Sequence, residues 1–222
     1  MKKKSLLTML LALTLVAVVG VGATLAYLSD STGAMTNTFT VGSGIDITQD
    51  EEDIDYDYDK DDDGNVDPEY DEDGDGVVDE GKEGRTEEGN DYTDIQPGNV
   101  LVKDPTVTIK ANSTECYVFM QLEGADELAA QNFTFDGFDA TKWIKVDGVA
   151  GLNGVYMYFE TVKEADADQV LAPLFTSVTY SIDAEELAED VELSDVVIKS
   201  CAVQAKNMTA ESAYEAAVET IQ

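Results

Sequence analysis

Apolar and polar positions divide the chain into three regimes. Residues 6–28 are mostly apolar. Residues 49–94 hold no aliphatic side chains except Ile54, Val66, Val77 and Val78. From residue 95 onward, apolar positions alternate with polar ones at the period of two that a half-buried strand requires. Just before the polar stretch, Phe39 and Val41 share one strand face, as do Ile45 and Ile47. Gly42-Ser43-Gly44 makes a bend between the two pairs.

The last regime predicts a succession of short strands. A Pro97-Gly98 turn leads into a run in which Val107 and Ile109 alternate with Thr106, Thr108 and Lys110. Asn112-Ser113 forms a turn before a strand over 116–122, and residues 126–131 make one or two helical turns. Ile144 and Val146 precede an Asp147-Gly148 turn. The run GVYMYFETV is apolar on both faces, as a central strand is. Val178, Tyr180 and Ile182 alternate in the next strand. Asp183 and Glu186 form an N-cap pair for a short helix over 184–189. DVVIKSCAVQAK is the last strong strand. In residues 208–222 Thr209 can cap a helix with Tyr214, Ala217, Val218 and Ile221 at helical spacing, docked on a sheet edge. About seven or eight short strands broken by turns predict an all-β, antiparallel β-sandwich with short helices.

The apolar start has a different use. Met1-Lys2-Lys3-Lys4-Ser5 is a basic head, an apolar stretch follows, and small residues close it. This is the layout of a secretory signal peptide, with Thr24 and Ala26 placing the cut between Ala26 and Tyr27. The 23 residues of 6–28 are also long enough for a retained membrane anchor, the alternative reading. The expected organisation is a signal peptide over 1–26, first strands over 27–48, an acidic insertion over 49–94, the sandwich over 95–207 and a helix over 208–222.

Charge sharpens the picture. The formal net charge is −34, and removal of the signal peptide with its three lysines would make it −37. Such a surface excludes nucleic acid and anionic lipid as partners, leaves the uncleaved signal segment as the one route to a membrane, and favours multivalent cations. From Asp50 to Asp94 there are 23 acidic residues against Lys60, Lys82 and Arg85, a net of −20. That composition cannot pack a core alone and predicts disorder without ions. The chain has no histidine, which removes the commonest general base and zinc ligand. No His-Glu-x-x-His or nucleophile–histidine pairing exists, so the reading is not an enzyme. Cys116 and Cys201 both fall in strand-like runs. In an exported protein they form either a disulfide, worth about 4–5 kcal/mol for a loop of this length, or two buried thiols.

Chemistry is concentrated in DKDDDGNVDPEYDEDGDGVVDE, which repeats one pattern with a period of 12. Asp59, Asp61 and Asp63 stand at positions one, three and five of a first loop. Gly64 follows at six, Asn65 at seven, Val66 at eight and Asp67 at nine. Asp71, Asp73, Asp75, Gly76, Val77, Val78 and Asp79 repeat these offsets. Alternate carboxylates can curl round one hard cation, glycine permits the sharp turn, and the Asn65 and Val77 carbonyls supply further oxygens. Calcium, with six to eight oxygens in loose geometry, fits better than magnesium. Tyr70 and Lys82 stand at position 12, where an EF-hand needs a bidentate Glu. The missing ligands would come from Asp71, Glu72, Glu80 or Glu83. The tandem loops resemble thrombospondin type 3 repeats more than an EF-hand pair.

Two further stretches carry a resemblance. GATLAYLSDSTGAMTNTFTVGSGIDIT resembles the start of proteins processed by the SipW-type signal peptidase. IQPGNVLVKDPTVTIKANSTECYVFMQL and IKSCAVQAKNMTAESAYEAAVETI are similar to later parts of the same group, the TasA and camelysin (CalY) matrix proteins of Gram-positive bacteria. The likeness covers 1–48 and 95–222 and leaves the acidic insertion outside. It implies a jelly-roll-like sandwich in a secreted biofilm-matrix or cell-surface fibre. Such a subunit polymerises with itself or related subunits by adding a strand from residues 27–41, a segment that reads equally as an ordinary first strand of its own sandwich. Camelysin-like relatives are classed as metallopeptidases, for which this chain lacks the ligands. The competing reading is a monomeric, calcium-dependent surface adhesin or binding module.

Overall fold

The computed structural model describes residues 29–32, 44–79, 81–184 and 192–221. Every strand pairing in it is antiparallel. Three open sheets and two helices make up the described chain. The largest sheet orders β1 (Ser29–Thr32), β12 (Val197–Gln204), β6 (Cys116–Glu123), β9 (Gly154–Tyr158) and β8 (Trp143–Lys145). A second orders β10 (Gln169–Val170), β5 (Thr106–Ile109), β2 (Ile47–Glu52) and β3 (Arg85–Thr86). The third orders β4 (Val100–Val102), β11 (Ser177–Tyr180) and β7 (Phe133–Asp136).

The long β6–β12 ladder is the spine, with eight residues of each strand in register from Val197↔Glu123 to Gln204↔Cys116. Strand alternation sends Cys116, Val118, Met120 and Leu122 to one face and Phe119 to the other. The first face shares a buried cluster with Ile47, Val107 and Ile109 of the second sheet and Phe133, Val178 and Tyr180 of the third. Phe133 and Tyr180 stack at 4.5 Å between ring centroids. Each such fully buried side chain contributes about 1.5–3 kcal/mol. β9 is buried on both faces, through Val155 and Tyr156, as its sequence predicts. β7 had no counterpart in the sequence reading, although Phe133 and Phe135 alternate with polar residues in it. Ile182 leaves the expected alternation and is 77% exposed.

The opposite face of the large sheet is covered by α2 (Ala210–Ile221). Ala213, Ala217 and Ile221 recur every fourth residue and pack on Phe119, Val155, Cys201 and Val203. The helix therefore lies on a sheet face, not on an edge, because two alanines let it approach closely. Thr209 caps it: Oγ1 accepts the Ser212 N–H at 3.2 Å, and Ser212 Oγ accepts the Thr209 N–H at 3.0 Å. The predicted helical turns at 126–131 appear as α1 (Ala125–Ala130). The helix expected over 184–189 lies outside the described residues, as do the strand pair Phe39/Val41, the cleavage pair Ala26/Tyr27 and the apolar leader. Among the described residues no helix is long and apolar enough to cross a membrane.

The cysteines occupy neighbouring strands, yet they are thiols and not a disulfide. Cys116 pairs with Gln204 and Cys201 with Phe119, three register steps apart. At about 3.3 Å per step that exceeds the reach of a disulfide. They also face opposite clusters, Cys116 the shared core and Cys201 the helix. Burial pushes the Cys116 thiol up to about 12, which keeps it protonated and unreactive at neutral pH. The folded protein should give no reaction with a thiol reagent, and both cysteines should react after unfolding without reductant; failure to react when unfolded would mean a bridge. Thr209→Ala should cost about 1 kcal/mol of stability, read as a lower urea midpoint at unchanged slope.

Candidate metal centre

The acidic segment leaves the second sheet between β2 and β3 and returns to it. β2 runs through Glu52, four residues into the stretch that composition assigned to the insertion. Glu51 pairs with Thr86 and Glu52 with Arg85, so the two ends of residues 53–84 sit side by side. The Asp53 N–H donates to Gly84 O at 2.8 Å and extends this neck. Arg85 closes it electrostatically, donating to Asp50 Oδ1 from Nε at 2.9 Å and pairing with Asp104. Behind it, Lys103 meets Glu51 at 2.8 Å with both side chains nearly out of solvent.

Within the arm, the 12-residue repeat of the sequence is a repeat of geometry. The Asp67 N–H donates to Tyr58 O at 2.8 Å, and twelve residues on the Asp79 N–H donates to Tyr70 O at 2.7 Å. The Asp59 carboxylate accepts the N–H groups of Asp63 and Gly64 at 2.9 and 2.7 Å. Asp71 does the same for Asp75 and Gly76 at 3.2 and 2.8 Å, and also holds Gly74 at 2.7 Å. Asp63 accepts the Asn65 N–H, and Asp75 the Val77 N–H, each at 2.9 Å. Asp67 and Asp79 reach back to the N–H groups of Lys60 and Glu72 at 3.2 and 2.8 Å. Gly64 and Gly76 adopt φ of +86° and +85°, a left-handed conformation that glycine takes without strain.

These turns gather carboxylates into two triads. Asp59, Asp61 and Asp63 form one, and Asp71, Asp73 and Asp79 the other; within each, one oxygen per residue lies within 4.8 Å of the rest. Either triad could hold a metal ion, and an all-oxygen donor set suits a hard cation. Asp67 lies outside the first triad and Asp75 outside the second. The Asn65 side chain turns onto Asp63 Oδ1 at 2.9 Å, and Val77 is 63% exposed. Of the additional oxygens expected from sequence, Glu72 pairs with Lys82 at 3.0 Å and Glu83 accepts the Gly81 N–H at 2.7 Å. Glu80 lies outside the described residues.

Charge crowding shows in the acid–base properties. The neighbouring Asp63 charge raises the Asp61 carboxyl above its usual value, against the Asp63 N–H that lowers it. Asp73 is also raised: the Asp75 N–H pulls it down, but the Asp75 charge and partial desolvation outweigh that. Asp71 goes the other way, held low chiefly by the Gly76 N–H, with Gly74 and Asp75 adding to it against desolvation. Asp71 is thus the structural carboxylate of its loop, whereas Asp61 and Asp73 carry unrelieved negative charge.

A small aromatic core holds the two loops together. Tyr56, Tyr58 and Tyr70 place their ring centroids 4.9 to 5.8 Å apart, and the Tyr56 and Tyr70 hydroxyls lie 3.0 Å apart. Tyr58 OH accepts the Gly84 N–H at 2.8 Å. A Cβ on Gly84 would stand 2.1 Å from the Tyr56 ring. Lys60 lies 4.6 Å from the Tyr70 ring centroid and pairs with Glu69 at 3.0 Å, while Lys82 reaches Glu69 O at 3.2 Å. As composition predicted, no described apolar side chain of residues 53–84 is fully buried, but this half-buried tyrosine cluster was not anticipated. The signal was present, since Tyr58 and Tyr70 each stand directly before a loop at the same period of 12. The chain matches no family model, no curated protein and no solved structure.

Titration with terbium(III), read by tyrosine-sensitised luminescence, should saturate at two ions per chain. Asp59→Asn and Asp71→Asn should each remove one. Affinity should fall as pH drops through the range of Asp61 and Asp73, beginning above the ordinary Asp value of about 3.8. Without cation the sign reverses. Carboxyls raised in the folded state contribute stability at low pH that is lost as pH rises through their folded values. The ion-free arm should therefore resist proteolysis better in mild acid than at neutral pH.

Proposed function

We propose that this chain is a secreted structural subunit of cell-surface or biofilm-matrix fibres, stabilised by calcium in its aspartate arm and assembled by addition of an N-terminal strand. The observation that carries the reading is β1. It is a four-residue edge strand pairing antiparallel with only half of the eight-residue β12, from Ser29↔Val203 to Thr32↔Ser200. It lies directly after the expected cut between Ala26 and Tyr27. A strand so short and so placed can leave its own β12 and be replaced by the same segment of a neighbour. Backbone hydrogen bonds supply affinity in such an exchange, and alternate side chains supply register. The sheets would then be a jelly-roll-like sandwich of the TasA and camelysin kind, which the resemblance of residues 1–48 and 95–222 supports. Release by a SipW-type signal peptidase would free the strand outside the cell.

Calcium is the ion that best suits the arm, because two triads of carboxylates on flexible aspartate turns offer hard oxygens without octahedral rigidity. Affinity in the 10⁻⁴–10⁻³ M range, roughly that of extracellular modules, would keep the sites filled only outside the cell. A second reading, a monomeric calcium-dependent adhesin, is favoured by the exposure of Asp61, Asp63 and Asp73, which leaves each triad open on one side to a ligand's oxygens.

Mature chain beginning at Tyr27 should form fibres visible by electron microscopy in calcium. A chain lacking residues 27–41 should not, and a peptide of residues 27–41 added in excess should stop growth of the intact protein. Fibres of equal yield from the truncated chain would end the strand-addition account. Monomers that bind a surface only in calcium would establish the adhesin instead.

A further inference from the structure

At the foot of the arm three side chains from separate stretches of chain converge. Lys103 Nζ lies 2.8 Å from Glu51 Oε2 and 3.1 Å from Oε1. Asn90 donates to that same Oε1 twice, from Nδ2 at 3.0 Å and from its backbone N–H at 3.1 Å. Its Nδ2 also reaches Glu52 O at 2.7 Å. The Asn90 carbonyl oxygen accepts the Ile54 N–H at 3.1 Å. Among the described ion pairs, Lys103–Glu51 has the two least exposed side chains, 13% and 8%. The Tyr92 ring stands 6.0 Å from the lysine nitrogen. An amine, a carboxamide and a carboxyl group touching both are thus held together, the carboxyl buried and the other two partly so.

We propose that Lys103 and Asn90 join in an intramolecular isopeptide bond, with Glu51 as the catalytic residue that moves the proton. Glu51, whose Oε2 lies 2.8 Å from Lys103 Nζ, first takes a proton from the Lys103 ammonium. The freed lone pair on Nζ attacks Asn90 Cγ, and the carbonyl electrons move onto Oδ1, where the Ile54 N–H holds them. Glu51 gives its proton to Nδ2 and accepts the surplus proton of the new C–N bond. The Cγ–Nδ2 bond then breaks, its electron pair leaves with ammonia, and the ammonia takes up the proton that Glu51 holds. One ammonium side chain and one carboxamide become one secondary amide and one ammonium ion. Glu51 returns to carboxylate, and nothing is oxidised or reduced.

The bond would tie the segment following β3 to the segment between β4 and β5. It would close residues 90–103 into a covalent ring across the foot of the arm, where the ladder between β2 and β3 is only two residues long. This proposal goes beyond the fibre reading and does not rest on it. A soluble adhesin could carry the same cross-link.

Digestion of the purified full chain reads the bond directly. Trypsin cannot cut after an acylated lysine, so the expected product is a fragment of residues 86–110, one ammonia lighter than encoded. A protease cutting after acidic residues, at Asp91 and Asp94, should then give a branched peptide joining Asn90 to Lys103. Lys103→Arg and Glu51→Gln should return the encoded mass. Cleavage after Lys103 in the unsubstituted protein, with fragments at encoded mass, would overturn the proposal. A cross-link that persists in Glu51→Gln would overturn the role of Glu51.

Discussion

Mutual repulsion among carboxylates is the constraint to which the rest of this molecule answers. Residues 53–84 carry sixteen acidic side chains against Lys60 and Lys82. Two like charges 4 Å apart cost about 1 kcal/mol even in bulk water, and more as the surroundings become less polar. The arm offsets part of that cost with its own backbone. Both loops turn successive N–H groups onto Asp59 and Asp71. Lys60 pairs with Glu69 and Lys82 with Glu72. Three tyrosines give the turns something to pack against. What stays unrelieved is the outer pair of carboxylates, Asp61 and Asp73, both driven toward protonation by their neighbours. Either triad could hold a metal ion that would relieve this charge.

Such an arm needs a base that does not share its weakness. The sheet body supplies one through the long β6–β12 spine, with its shared core on one face and α2 on the other. The arm is attached where β2 meets β3, and the junction is reinforced by charge. Arg85 lies between Asp50 and Asp104. The Glu52 N–H reaches Asp104 at 2.7 Å, and the buried Lys103–Glu51 pair with Asn90 closes the other side. Positive residues are few, and those at the junction neutralise the acids nearest the body.

Much of this was legible in residue patterns. Alternation located β5 and β11, strongly apolar runs located β6, β9 and β12, and the repeated Asp-x-Asp-x-Asp-Gly located both loops. Three things were not legible. The choice between a disulfide and two buried thiols was open in the sequence, because register and face, which separate Cys116 from Cys201 on neighbouring strands, cannot be read there. The helix was expected on the sandwich edge, with Tyr214, Ala217, Val218 and Ile221 at helical spacing. The small residues Ala213 and Ala217 in fact decide how it seats. The junction was invisible because Glu51, Asn90 and Lys103 are ordinary polar residues far apart in the chain. Only the antiparallel return of the arm brings them together. Within the loops, strict repetition suggested identical ligand sets. In the structure, position five joins positions one and three in the first triad, and position nine joins them in the second.

Backbone hydrogen exchange over residues 59–79, compared in calcium and in chelator, tests the central claim most directly. The account predicts strong slowing in calcium of the amides of Asp63, Gly64, Asp75 and Gly76, with the amides of β6 and β12 unchanged. Equal exchange of those loop amides in both conditions would mean that no ion completes the arm, and would contradict the account.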